Sequence, residues 1–162
     1  MMESRNPAFM DEIHRLFDTA PFIRELGLRL LAIAPGRCET ELVLAPRHLQ
    51  QDGVVHAGVL ATMADHTSGT AGASIIGAGA YVLTAEFKIN LLRAARGERL
   101  HCVGTVLKPG RRLIVAESEV FDSAPDSGKL VAKATVTLAV MTKLSAAAAE
   151  TEKSTREKRN HR

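Results

Sequence analysis

VVHAGVLATMADHTSGTAGASIIGAGAYVLTA, residues 54–85, holds a single formally charged side chain, Asp65. In a chain that is 24% charged, a stretch of this length would ordinarily carry about eight such groups, so its composition marks it for burial. From about His56 to Ile76 the residues Leu60, Ala64, Ala71 and Ile75 recur on one helical stripe. The other faces carry Val59, Met63, Ala73 and small residues in place of charges, and a helix with no wet face is enclosed by other elements. Gly58, Gly69 and Gly72 each weaken such a helix by about 1 kcal/mol relative to Ala, which predicts close approach of a sheet.

The sheet is legible on both sides of this helix. Upstream, GLRLLAIAPGRCETELVLAP gives two extended runs around the Pro35-Gly36 turn signal. In the second run Cys38, Thr40, Leu42 and Leu44 alternate with Arg37, Glu39, Glu41 and Val43, the period of a half-buried strand. Downstream, YVLTAEFKINLL places Tyr81, Leu83, Ala85, Phe87, Ile89 and Leu91 on one side and Thr84, Glu86, Lys88 and Asn90 on the other. ERLHCVGTVLK, RRLIVAESEVFD and KLVAKATVTLAVM complete four strand-like runs joined by turn signals. Before all of these, AFMDEIHRLFDTAPF forms an amphipathic surface helix through Phe9, Met10, Ile13, Leu16 and Phe17, which Pro21 is expected to end. The order α-β-β-α-β-β-β-β, with short connections favouring antiparallel neighbours, predicts an α+β fold: one curved antiparallel sheet with the apolar helix in its concave face. The expected organisation is a helical segment over 1–20, one domain over 21–144 and a charged tail over 145–162.

Composition narrows the function. The formal charge is +3, and the C-terminal SAAAAETEKSTREKRNHR alone contributes five Lys/Arg against three Glu, or +2, leaving +1 elsewhere. With 4% aromatic residues and no Trp, neither a basic surface nor stacking platforms support nucleic-acid binding. Residues 66–85 are uncharged but mostly Gly, Ala, Ser and Thr, too poor in large apolar side chains to be expected in a membrane. The start MMESRNPAFMDEI has no basic end followed by an apolar run, and Cys38 and Cys102 fit no CxxC spacing. A cytoplasmic protein with reduced core cysteines is expected.

Asp65 lies at the margin of the packed helical face, where desolvation raises a carboxyl pKa unless a donor compensates. Either a neighbouring hydroxyl or a partner's Arg satisfies it, or it is held in a cleft as base or nucleophile. Just upstream, His56-Ala57-Gly58 open the helix, and the first amides of a helix are unpartnered and partially positive. The Ala57 and Gly58 N–H groups are therefore candidate donors to a carbonyl oxygen that becomes negative during reaction. On one helix His56 and Asp65 fall about 180° apart, so a single site uniting them calls for two subunits with these helices antiparallel. GASIIG is one residue out of register for a serine elbow, and His56, Asp65 and His66 fit no zinc spacing. No phosphate-binding glycine loop is present.

QQDGVVHAGVLATMADHTSGTAGA, followed by LTAEFKINLLRAARGERL and VLKPGRRLIVAESEVFD, resembles the hotdog-fold acyl-CoA thioesterases of the phenylacetate-degradation (PaaI-like) group, over residues 20–141. The resemblance implies the hotdog fold, a homodimer or homotetramer, an acyl-CoA substrate and no cofactor beyond the CoA of that substrate. It implies Asp65 as base or nucleophile, the Ala57 amide against the thioester carbonyl, His56 as an orienting hydrogen-bonding group, and Thr84 placing the water or the acid. The chain departs from the family pattern at Gln50, where Asn is usual, and at Ala57, where Gly is usual. Arg93, Lys108, Arg111 and Arg112 are candidates for the CoA phosphates, Gly58 for binding the substrate at the helix opening, and Met63, His66 and Phe87 for lining the acyl site. Two other functions share the fold: a non-catalytic acyl-CoA binder, and a hydratase or dehydratase of acyl thioesters.

Overall fold

The computed structural model describes residues 2–123 and 128–142; the tail after 142 lies outside the described residues. Helix α1 (Phe9–Thr19) buries Ile13 and Phe17, one turn apart on the expected stripe. α1 stops at Thr19, just before Pro21, as the sequence suggested, but helical structure resumes at once. Ala20 is extended, and Pro21 opens a second short helix, α2 (Pro21–Leu26), closed by Gly27 at φ +85°. Proline suits this first helical position because its missing N–H would have no partner there anyway.

Six strands follow the predicted order around the apolar helix α3 (Ala57–Ala73): β1 (Arg29–Ala34), β2 (Arg37–Val43), β3 (Ala80–Leu91), β4 (Arg99–Lys108), β5 (Leu113–Asp122) and β6 (Lys129–Thr142). All pairings are antiparallel, in the order β1-β2-β4-β5-β6-β3. The inner face presents Cys38, Leu42, Leu100, Cys102, Ile114, Val120, Val136 and Leu138, all inaccessible to solvent, to α3. The outer face is laced with ion pairs: Arg29 and Arg99 on Glu41, Arg37 on Glu39, and Lys133 on Glu117 and Glu119.

Two features of β3 depart from the sequence reading. It pairs with β6 and not with its successor β4, so the segment 92–98 must cross the ends of β6 and β5. That crossing is pinned at every strand it passes: Leu92 and Arg93 donate to Val131 O, Gly97 to the Asp122 carboxylate, and Leu44 donates to Glu98 O. The second departure is a bulge between Thr84 and Glu86 in the β6 register. It inverts the alternation, so Val82 and Thr84 pair with the inward residues Val140 and Leu138, while beyond it Phe87, Ile89 and Leu91 pair with inward Val136, Ala134 and Ala132. Tyr81 and Leu83 consequently face outward, against the one-sided pattern expected from the sequence.

Close approach of helix and sheet is real, but its main glycine lies on the sheet. A Cβ at Gly104 of β4 would sit 2.7 Å from Thr67 O, and one at Gly72 would strike the Leu138 side chain. At Gly69 it would meet nothing within 4 Å, and at Gly58 only the ring of His56. Hydroxyls tie α3 down around this contact: Ser118 Oγ donates to Ala64 O at 3.0 Å, and Thr40 and Thr67 share a hydrogen bond of 2.7 Å. Gly104→Ala is therefore expected to cost about 2 kcal/mol by overpacking against backbone, lowering the melting temperature by about 4–8 °C. Gly69→Ala, with free space and a better helix former, should raise it in the same thermal melts.

Candidate active site

The chain leading into α3 is built to hold one backbone amide open. His48 is buried, with Nδ1 accepting from Ala45 N at 3.0 Å and Nε2 donating to Leu26 O at 2.9 Å. Its carbonyl takes the His56 N–H at 2.9 Å, while Val55 N donates to Ala95 O of the crossing segment. His56 then caps the helix, its Nδ1 accepting from Gly58 N at 2.9 Å, which leaves the imidazole proton on Nε2. Gly58 is thus not a free donor, and Val59 N is taken by His56 O. Ala57 N–H, exposed at the first helical position, has no partner among the described residues. It opens on a cleft of about 390 Å³ whose lining includes Gln50, Leu60, Leu91 and Arg93. The Gln50 side chain makes no hydrogen bond among the described residues, while Arg93 is steadied by donation to Leu130 O at 2.8 Å.

Two helical turns on, Asp65 stands half-buried on the edge of α3 nearest β3, and Thr84 Oγ1 donates to its Oδ1 at 2.8 Å. Burial pushes the Asp65 carboxyl above its ordinary range, and the Thr84 hydrogen bond pulls it partly back. One carboxylate oxygen is thereby held, while the other has no hydrogen-bond partner among the described residues. Because Thr84 stabilises the charged form, Thr84→Val should move the acid limb of the pH–rate profile to higher pH; an unmoved limb would show that the hydrogen bond does not tune the acid. Eight residues separate Asp65 from Ala57, about 12 Å along the helix, so one subunit does not bring the acid to its own open amide.

The remaining candidates scatter. Met63 is wholly buried in the core and reaches no cleft in this chain. His66 turns away from Asp65 toward α1, its ring edge-to-face with Phe17 at 4.9 Å, and burial pushes its pKa down to about 4. Phe87 is exposed on β3. Lys108, Arg111 and Arg112 are exposed at the β4–β5 turn, where Arg111 lines a hollow with Ile75 near the C-terminal end of α3. Arg93 lies at the other end of that helix. Both cysteines are buried with their thiols pushed up, Cys102 to about 12, so neither is a nucleophile at neutral pH. Among the described residues no three His, Cys, Asp or Glu side chains gather to hold an ion, and no helix is long and apolar enough to cross a membrane. The positioning role of His48 escaped sequence reading, because a lone histidine in a turn carries no signal of its partners.

An antiparallel sheet wrapped on an apolar helix, with an open amide at the helix mouth and a carboxylate within it, defines a hotdog-fold hydrolase. The thioesterase superfamily matches residues 52–129. A thioesterase family protein of Silicibacter pomeroyi superposes with a TM-score of 0.80 at 33% identity, covering 83% of this chain and 99% of its own. Human acyl-coenzyme A thioesterase 13 is 28% identical over 134 residues, 82% of this chain and 94% of that protein. The E. coli PaaI protein of the phenylacetic acid degradation operon shares the fold, with a TM-score of 0.75 at 18% identity over 85% of this chain and 96% of its own. The chain belongs to the thioesterase superfamily, whose members hydrolyse thioesters.

Proposed function

We propose that the protein is a PaaI-like acyl-CoA thioesterase whose site is completed across a two-fold dimer. The observation that carries this is the division within one chain: an unpartnered amide at Ala57, and an oriented, partly desolvated carboxylate about 12 Å away that needs such an amide beside it. The sheet offers the means of joining. β3 is a 12-residue edge strand exposing Tyr81, Leu83, Phe87 and Leu91, and an edge this long and apolar is normally covered by another strand. Two copies pairing along β3 run their α3 helices antiparallel and set the Ala57 amide of one near Asp65 of the other.

In this site the Ala57 N–H and the Nε2–H of His56 polarise the thioester carbonyl. Asp65 takes a proton from water as its oxygen bonds to the carbonyl carbon; the tetrahedral oxyanion rests on the Ala57 amide, then the C–S bond breaks and the CoA thiolate leaves. A direct attack by Asp65 through an anhydride is the alternative route, distinguished by oxygen-18 from water entering Asp65 in single turnover. Arg93 and the exposed Lys108, Arg111 and Arg112, contributed from opposite ends of the paired helices, meet the CoA phosphates. The buried reduced cysteines suit a cytoplasmic setting.

Free-thiol release from a panel of acyl-CoAs, with the solution mass measured alongside, tests the proposal. Release by a species of at least dimer mass is expected. Tight binding without release would identify an acyl-CoA binder, and a change in double-bond absorbance a hydratase.

A further inference from the structure

We infer that the acyl tail of the substrate runs from Asp65 past Gly69 into an apolar cavity under helix α1, which makes Gly69 the gate for acyl-chain length. The inference rests on the reading of Asp65 as the catalytic acid. The cavity holds about 310 Å³ between α1, the end of α3 and the start of β3, walled by Phe9, Ile13, Leu16, Ala73, Ile76 and Val82. Its outer rim is polar: Asn6 Nδ2 donates to Glu12 at 3.3 Å, and Glu12 pairs with Arg15 at 3.4 Å. Asp65, Gly69 and Ala73 succeed one another a turn apart along one edge of α3, drifting only about 40° per step. On the facing strand, Thr84, which holds Asp65, and Val82, which walls the cavity, point to the same side about 7 Å apart. Carboxylate and cavity thus lie along one seam between α3 and β3.

Gly69 lies between them, and packing does not account for it. Glycine is disfavoured inside helices. Gly72 and Gly104 are explained by atoms that a Cβ would strike, whereas at Gly69 a Cβ would meet nothing within 4 Å. What glycine provides there is passage. The cavity equals about ten water volumes, and with its apolar walls it suits an unfunctionalised acyl tail of roughly eight to ten carbons over acetyl or another short group.

Isothermal titration with S-butyl-, S-hexyl- and S-decyl-CoA thioethers, which cannot be hydrolysed, tests this on the full chain. The wild type should bind the decyl compound at least about a hundredfold more tightly than the butyl compound. Gly69→Leu should collapse that ratio to below about fivefold. Ala73→Leu, one turn deeper, should retain the gain from butyl to hexyl and lose the gain from hexyl to decyl; it decides the matter alone if Gly69→Leu does not fold. A wild-type ratio near one, or a ratio kept in a folded variant, overturns the inference. Loss of decanoyl-CoA hydrolysis in Asp65→Asn tests the chemistry separately, so a tail pocket without turnover and turnover without a tail pocket are told apart.

Discussion

Asp65→Asn should lower acyl-CoA hydrolysis by at least about a hundredfold while leaving the fold as stable as the wild type or more so. The first half follows from removing the half-buried carboxylate that Thr84 orients, the proposed catalytic acid. The second follows from linkage. Burial raises the folded-state pKa of Asp65, so the native protein binds this proton more tightly than the unfolded chain does. Stability from that group is present below the unfolded value and is lost as pH rises toward the folded one, so at neutral pH the carboxylate works against folding. Asparagine removes the charge and can still accept from Thr84. Steady-state kinetics and thermal melts at pH 7 check both halves; a variant that loses activity and melts well below the wild type would mark Asp65 as structural.

Ala57→Pro should reduce kcat by about a hundred- to a thousandfold, the loss associated with one oxyanion donor. The substitution deletes the one N–H at issue with little disturbance. Ala57 is the first residue of α3, where proline is favoured, and His56 before it already has the extended backbone, φ −63° and ψ 137°, that a following proline requires. Ala57→Gly keeps the N–H and removes the methyl, so it should retain most of the rate and controls for the bulk of the proline ring. Equal losses in both variants would show that the side chain, and not the amide, matters there.

Much of this was legible in the sequence because it rests on local pattern. The missing charges around Asp65 gave the enclosed helix, and alternation gave the strands on either side of the Pro35-Gly36 turn. What stayed hidden depends on contacts between distant residues. The bulge after Thr84 inverts a strand that reads as regular, and nothing in YVLTAEFKINLL marks it. The crossing of 92–98 from the β3 edge to β4 is a matter of topology, and periodicity carries no topology. The helix glycines pointed correctly to close packing, yet its tightest contact with backbone belongs to Gly104 on the strand, where the sequence shows only a glycine among β-formers. At the site, the sequence proposed both Ala57 and Gly58 as donors; the ring of His56 takes the second and leaves one. Helical spacing alone separates Ala57 from Asp65, so the demand that the proposed shared site makes for a second subunit was readable before the free edge of β3 offered a route.

Complementation between the two inactive variants measures that demand directly. Ala57→Pro and Asp65→Asn chains, unfolded together and refolded as an equal mixture, should form mixed dimers in about half of the population. Each mixed dimer holds one intact site, built from the Ala57 amide of the Asp65→Asn subunit and the Asp65 of the Ala57→Pro subunit. The mixture should recover about a quarter of wild-type activity, far above either variant alone. Mixed dimers that form, as shown by mass, and stay inactive would contradict a site shared between subunits.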